Sequence, residues 1–191
     1  MRAFIAIDLP DAVRGGLARW QKTFGAVCRD ARWTRPEGIH LTLKFLGEIS
    51  SQQVNQVSKA LADLGAIEPI RISIRGFGFF PNARRPRVFW AGISSSQALS
   101  ALASRVEAAM ETMGFAREQR EYNPHLTLAR FKMPRPQPEL ATAVEKQGEL
   151  DLGSFEASEF YMFESVLSLG SAQYRKVARF PENTSSGQPN N

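Results

Sequence analysis

His40-Leu41-Thr42-Leu43 returns as His125-Leu126-Thr127-Leu128, 85 positions from 40 to 125, and these hold the only two histidines among 191 residues. Side chains alternate faces along a strand, so in each copy the His and Thr share one face and the two leucines the other. Read as strands, Ile39–Leu46 and His125–Phe131 each send leucines to a core and present an imidazole beside a hydroxyl. The same offset carries Arg2-Ala3-Phe4-Ile5-Ala6 onto Arg87-Val88-Phe89-Trp90-Ala91. Two separate matches at one offset imply a duplicated half-domain. Duplicated halves pack about an approximate two-fold axis, so both HLTL strands are expected to line one central cleft.

Outward from these motifs the first half reads β-α-β-α-β. Arg2–Leu9 is a strand, and Pro10-Asp11 opens a helix through Val13, Leu17, Trp20 and Phe24 that Gly25 stops. Ser50 or Ser51 caps a second helix, and Ile70–Phe80 alternates as a half-buried strand. The second half repeats the order: a strand at 87–93, a helix at about 96–113, the HLTL strand, a helix at about 138–146 and a strand around 155–163, with one more strand at 173–180. The expected fold is therefore α+β and bilobal: two antiparallel sheets flank a central cleft, with helices on the outside. Residues 1–181 form one domain of two repeated lobes (about 1–80 and 87–165, plus the C-terminal strand), and 182–191 form a disordered tail.

The chain is 43% hydrophobic, enough for one sizeable core. Lys and Arg exceed Asp and Glu by 24 to 19, and the pI is about 9.7, which suits a polyanionic partner. Arg2 and Asp8 flank a short apolar run with no small-residue cleavage site, which does not read as a signal peptide, and no run approaches a membrane span. A lone Cys28 excludes an internal disulfide. A cytoplasmic protein without a membrane association, and a monomer, are expected.

Two imidazoles and two hydroxyls, with no third histidine, no cysteine pair and no evident carboxylate cluster, do not complete a metal site. They suit displacement at phosphorus, where attacking and leaving oxygens lie roughly in line and a base and an acid act on opposite sides. Thr42 and Thr127 can donate to the non-bridging oxygens. No metal and no cofactor are expected. Arg130, five positions past His125, points away from the histidine face on a regular strand; a bulge would bring it round. Phe45 and Phe80 are further candidate substrate contacts, by stacking on a base. Arg84 and Arg85, in the loop 81–86, suit either an RNA backbone or plain solvation.

At these residues the chain resembles the two-histidine (2H) phosphoesterase superfamily, defined by a repeated His-x-Thr-x motif. MRAFIAIDLP, LKFLGE after the first motif, GFGFFPN…RPRVFWAGI, NPHLTLARF and the pattern from Glu164 to Tyr174 are similar to its RNA 2′,3′-cyclic phosphodiesterase branch, also called the 2′-5′ RNA ligase family, over about residues 1–181. The resemblance implies an enzyme, a hydrolase of phosphoric diester bonds. Its substrate would be RNA with a 2′,3′-cyclic phosphate end, opened without metal to a 2′-phosphomonoester. It also implies His40 as proton donor, His125 as proton acceptor, and Thr42 and Thr127 holding phosphate; the residues alone leave the two histidine roles open. Small cyclic nucleotides are alternative substrates, and 2′-5′ RNA ligation or a non-catalytic RNA-binding module are alternative functions.

Overall fold

The computed structural model describes residues 1–94, 96–168 and 171–182; the tail expected at 182–191 lies, beyond Glu182, outside them. In chain order the elements are β1 (Arg2–Ile7), α1 (Asp11–Gly25), β2 (Ala31–Trp33), a 3-10 turn (Pro36–Gly38), β3 (Leu41–Glu48), α2 (Ser51–Ala62), β4 (Ile70–Phe80) and β5 (Val88–Ser94). There follow α3 (Gln97–Thr112), β6 (His125–Phe131), α4 (Pro138–Glu145), β7 (Asp151–Ala157), β8 (Phe160–Ser168) and β9 (Ser171–Phe180). The strands run β7-β4-β5-β6-β3-β1-β8-β9, with β2 beside β6, and every pairing is antiparallel. The fold is the expected α+β arrangement in two halves. Its two sheets are continuous through one position, Leu41 opposite Leu126.

The halves draw strands from distant parts of the chain. β4, the last strand before residue 81, pairs with β5 and β7, while β8 returns to β1. Residues 70–157 thus build β4 to β7, and β1 and β3 are completed by β8 and β9. The apolar stretch 155–163, read as one strand, is divided at Ser158-Glu159: β7 ends there against β4, and β8 begins in the other half. Three-residue β2 was too short to show a period.

Local signals explain the helices. Ser50 accepts the Gln53 N–H at 3.2 Å and the Gln53 side chain accepts the Ser50 N–H at 2.9 Å, a capping box that starts α2. Ser96 caps α3 through the Leu99 N–H at 3.1 Å. The helix then buries Leu99, Leu102, Ala103, Val106 and Met110 along one stripe. The main core takes Ile5, Ile7, Leu41, Leu43, Leu126, Leu128 and Phe89, the leucines of both motifs among them. On the opposite face Phe4, Ala6, Tyr161 and Phe163 form a second, smaller cluster with Tyr174 against it. Among the described residues no helix is long and apolar enough to cross a membrane.

Candidate active site

With Leu41 opposite Leu126 in an antiparallel ladder, His40 falls opposite Thr127 and Thr42 opposite His125. The approximate two-fold axis passes between the leucines. All four motif side chains are half-buried on the face away from the main core. Tyr122, half-buried just ahead of β6, donates its hydroxyl to the Thr42 carbonyl at 3.2 Å and so ties the two motifs together a second time. Burial pushes its phenol well above the usual range.

Both motifs contain the same irregularity. Along β3 the pairing with β1 passes from Thr42 to Lys44 and skips Leu43; along β6 the pairing with β5 passes from Thr127 to Ala129 and skips Leu128. Leu43 and Lys44 are both buried, as are Leu128 and Ala129, and the residue after each pair, Phe45 or Arg130, is exposed. A bulge shifts the alternation by one. Phe45 and Arg130, equivalent fifth positions, therefore lie on the histidine face, which answers the regular-strand expectation for Arg130. The bulge in β6 is secured from outside the ladder: the Leu128 carbonyl accepts the Thr34 N–H and the side-chain amide of buried Gln21, each at 2.9 Å.

The second sequence match is not a structural equivalence. Ala6 stands opposite Thr42 and Trp90 opposite Thr127, so corresponding residues of β1 and β5 lie 84 apart rather than 85. Phe4 accordingly faces the histidines, whereas Phe89 is buried in the main core. Pairing register, which matching residue types do not record, decides equivalence.

The two imidazoles differ in their surroundings. His40 stacks on Phe4 with ring centroids 4.5 Å apart and meets the ring of Tyr174 edge-on at 5.0 Å. Burial pushes it down from 6.5 to about 4; the Asp8 carboxylate opposes this, and the charges of Arg14 and Arg130 add to it. Burial pulls Asp8 itself upward, but hydrogen bonds from Lys176 and Arg14 outweigh it and hold the carboxyl below its usual range. His125 meets the ring of Phe80 edge-on at 4.9 Å, and its Nδ1 lies 2.8 Å from the Asn123 carbonyl. A carbonyl only accepts, so Nδ1 carries the proton and Nε2 keeps a lone pair. Burial lowers His125 too, the bond to Asn123 raises it, and Arg130 lowers it.

Arg130 thus sits close enough to act electrostatically on both histidines, and Phe80 touches one of them. Phe45 is 66% exposed and neighbours Phe4 at 6.1 Å. Missed from the sequence were Phe4, Phe163 and Tyr174 around His40, and Asn123 behind His125. Of these only Asn123, two residues before His125, lies near a motif in sequence. Among the described residues no three His, Cys, Asp or Glu side chains converge to hold a metal ion.

Residues 7–90 and 92–172 match the family model described as LigT like Phosphoesterase. The RNA 2′,3′-cyclic phosphodiesterase of Methanothermobacter thermautotrophicus is 34% identical over 181 residues, 94% of this chain and 98% of that protein. Its namesake in Methanocaldococcus jannaschii is 32% identical over 177 residues, 93% and 98% of the two chains. A crystal structure of a Thermus thermophilus protein superposes with a TM-score of 0.79 at 29% identity, covering 94% of this chain and 97% of that one. With its duplicated His-x-Thr strands paired across one two-fold axis, the chain belongs to the LigT-like phosphoesterase family.

Proposed function

We propose that the protein hydrolyses RNA 2′,3′-cyclic phosphodiester ends to 2′-phosphomonoesters by metal-independent acid/base catalysis between His40 and His125. The observation that carries this reading is the Leu41–Leu126 pairing, which sets two imidazoles, two hydroxyls and, through the bulge, one guanidinium on a single face. The names of the relatives from Methanothermobacter and Methanocaldococcus support the substrate class.

His125 suits the base because its Nε2 lone pair is available while Nδ1 is held by Asn123. It takes a proton from water as the water oxygen bonds to phosphorus. The bond from phosphorus to the 3′ oxygen breaks on the opposite side, and His40 delivers a proton to that leaving oxygen. The proton on His125 then returns to His40 through solvent. Each transfer contributes roughly 10² to 10⁴ in rate. Thr42, Thr127 and Arg130 donate to the non-bridging oxygens as their charge grows. In the free protein His40 is neutral near pH 7; the anionic phosphate supplies the negative charge that favours its protonated form.

The test is incubation of wild type, His40→Ala and His125→Ala with EDTA on RNA ending in a 2′,3′-cyclic phosphate, resolving 2′- from 3′-phosphate products. A 2′-phosphate made by the wild type alone is expected. Loss of wild-type turnover on chelation, or undiminished cleavage by either variant, overturns the mechanism.

A further inference from the structure

The cations of β9 and those around the β4–β5 loop are not equally available. β9, whose Tyr174 packs on His40, carries Arg175, Lys176 and Arg179, and each is tied to a carboxylate: to Glu164 at 2.6 Å, Asp8 at 2.5 Å and Glu159 at 3.2 Å respectively. On the His125 side, Arg84, Arg85, Arg87 and Lys132 are exposed, and among the described residues none has a carboxylate partner. An anion approaching β9 competes with a resident carboxylate; one approaching the β4–β5 loop does not.

These four residues sit at one end of the sheet. The Arg87 N–H donates to the Phe80 carbonyl at 2.7 Å, closing the loop 81–86 at its base, and the Phe131 N–H donates to the Arg87 carbonyl at 3.0 Å, fastening that base to the end of β6. Val88, just after the loop, stands opposite Arg130, so the loop ends beside the residue whose charge acts on both histidines. Phe80, the residue before the loop, meets the His125 ring edge-on. At the tip the Asn82 side-chain oxygen accepts the N–H groups of both Arg84 and Arg85, at 3.0 and 3.1 Å, which holds the turn in shape while the guanidinium groups stay in solvent. The fixed turn spares the backbone its ordering cost on binding, so that only the two arginine side chains remain to be ordered.

We infer that Arg84 and Arg85 bind the phosphate backbone of single-stranded RNA on the 5′ side of the reacting nucleotide, so that the strand leaves the site over the β4–β5 loop and not over β9. This rests on the RNA cyclic phosphodiesterase reading and extends it: the enzyme takes oligonucleotide ends in preference to mononucleotides. Neither arginine has a part in the chemical step.

The experiment compares kcat/KM on a 2′,3′-cyclic mononucleotide and on a short oligoribonucleotide ending in the same cyclic nucleotide, across a range of salt. The proteins are wild type, the double variant Arg84→Ala/Arg85→Ala, and Arg84→Lys/Arg85→Lys. Wild type favours the oligonucleotide. The alanine variant keeps mononucleotide turnover but raises KM for the oligonucleotide roughly tenfold and lowers the salt slope by about 1.4, near 0.7 for each phosphate contact. The lysine variant retains most of the preference, because charge is what tracks a backbone. Equal wild-type efficiency on both substrates, or an alanine variant with unchanged length preference and salt slope, overturns the inference. A wild type that turns over neither substrate overturns the reading beneath it.

Discussion

Leu41 and Leu126 lie directly opposite each other, both at 0% exposure, and among the described residues theirs is the one register position through which the two halves of the sheet are joined. Each is flanked by its own motif's histidine and threonine. Leu126→Ala removes a buried side chain at that junction and is expected to cost about 2 to 5 kcal/mol. The relative placement of the histidines should loosen as well. Denaturant melts measure the first effect; turnover per folded molecule, expected to fall beyond the loss of folded protein, measures the second.

His40 should titrate near pH 4 in the free protein, well below the ordinary 6.5, and its midpoint should rise when inorganic phosphate or a 2′-phosphomononucleotide binds. NMR of the imidazole protons reads this directly. A depressed histidine favours the folded state fully above pH 6.5, and that contribution is lost as pH falls from 6.5 towards 4. The protein should therefore lose stability across this window, and His40→Phe should lose less. A free-protein midpoint at 6.5 would contradict the burial of the ring.

Gln21 touches the β6 bulge through the Leu128 carbonyl, and its side-chain amide also donates to the Thr34 carbonyl at 2.7 Å. Gln21→Leu withdraws one of the two donors that secure the bulge in β6 and should cost about 1 to 3 kcal/mol. Because the bulge turns Arg130 towards the histidines, KM should rise while the titration of His40 loses part of the depression due to Arg130. A stability loss with unchanged KM and titration would make Gln21 purely structural.

Lys44 is buried at the β3 bulge, where its ammonium donates to Glu107 at 2.5 Å and to the Ala116 carbonyl at 2.6 Å. Glu107→Ala strands that ammonium and should cost about 3 to 5 kcal/mol. Lys44→Met, which removes the charge at similar volume, should be far milder, and the double variant should recover most of what Glu107→Ala lost. Thermal melts of the three proteins decide it.

Much of the site was legible because a strand's period of two is short and the motif occurs twice: knowing which face the leucines take places both histidines and both threonines. The helices were legible from their caps and apolar stripes. What escaped depends on pairing partners far away in the chain. The shift from 85 to 84 between β1 and β5 is set by register, so Phe4 and Phe89 match in type yet face opposite ways. The return of β8 to β1, and with it the aromatic wall of Phe163 and Tyr174, needs the topology of the whole sheet. The place of Arg130 waited on one skipped residue.

That skipped residue leaves the two halves free to diverge without disturbing what they must share. From His40 to Leu43 and from His125 to Leu128 the two copies carry the same four residues. The fifth position escapes: delivered to the same face by the same bulge, it is an aromatic ring in one half and a guanidinium in the other. A symmetrical pair of proton carriers thereby acquires a polarity, one flank for a flat apolar surface and one for negative charge. A designer seeking to reverse the direction in which substrate lies could begin by exchanging Phe45 and Arg130 and leave both histidines untouched.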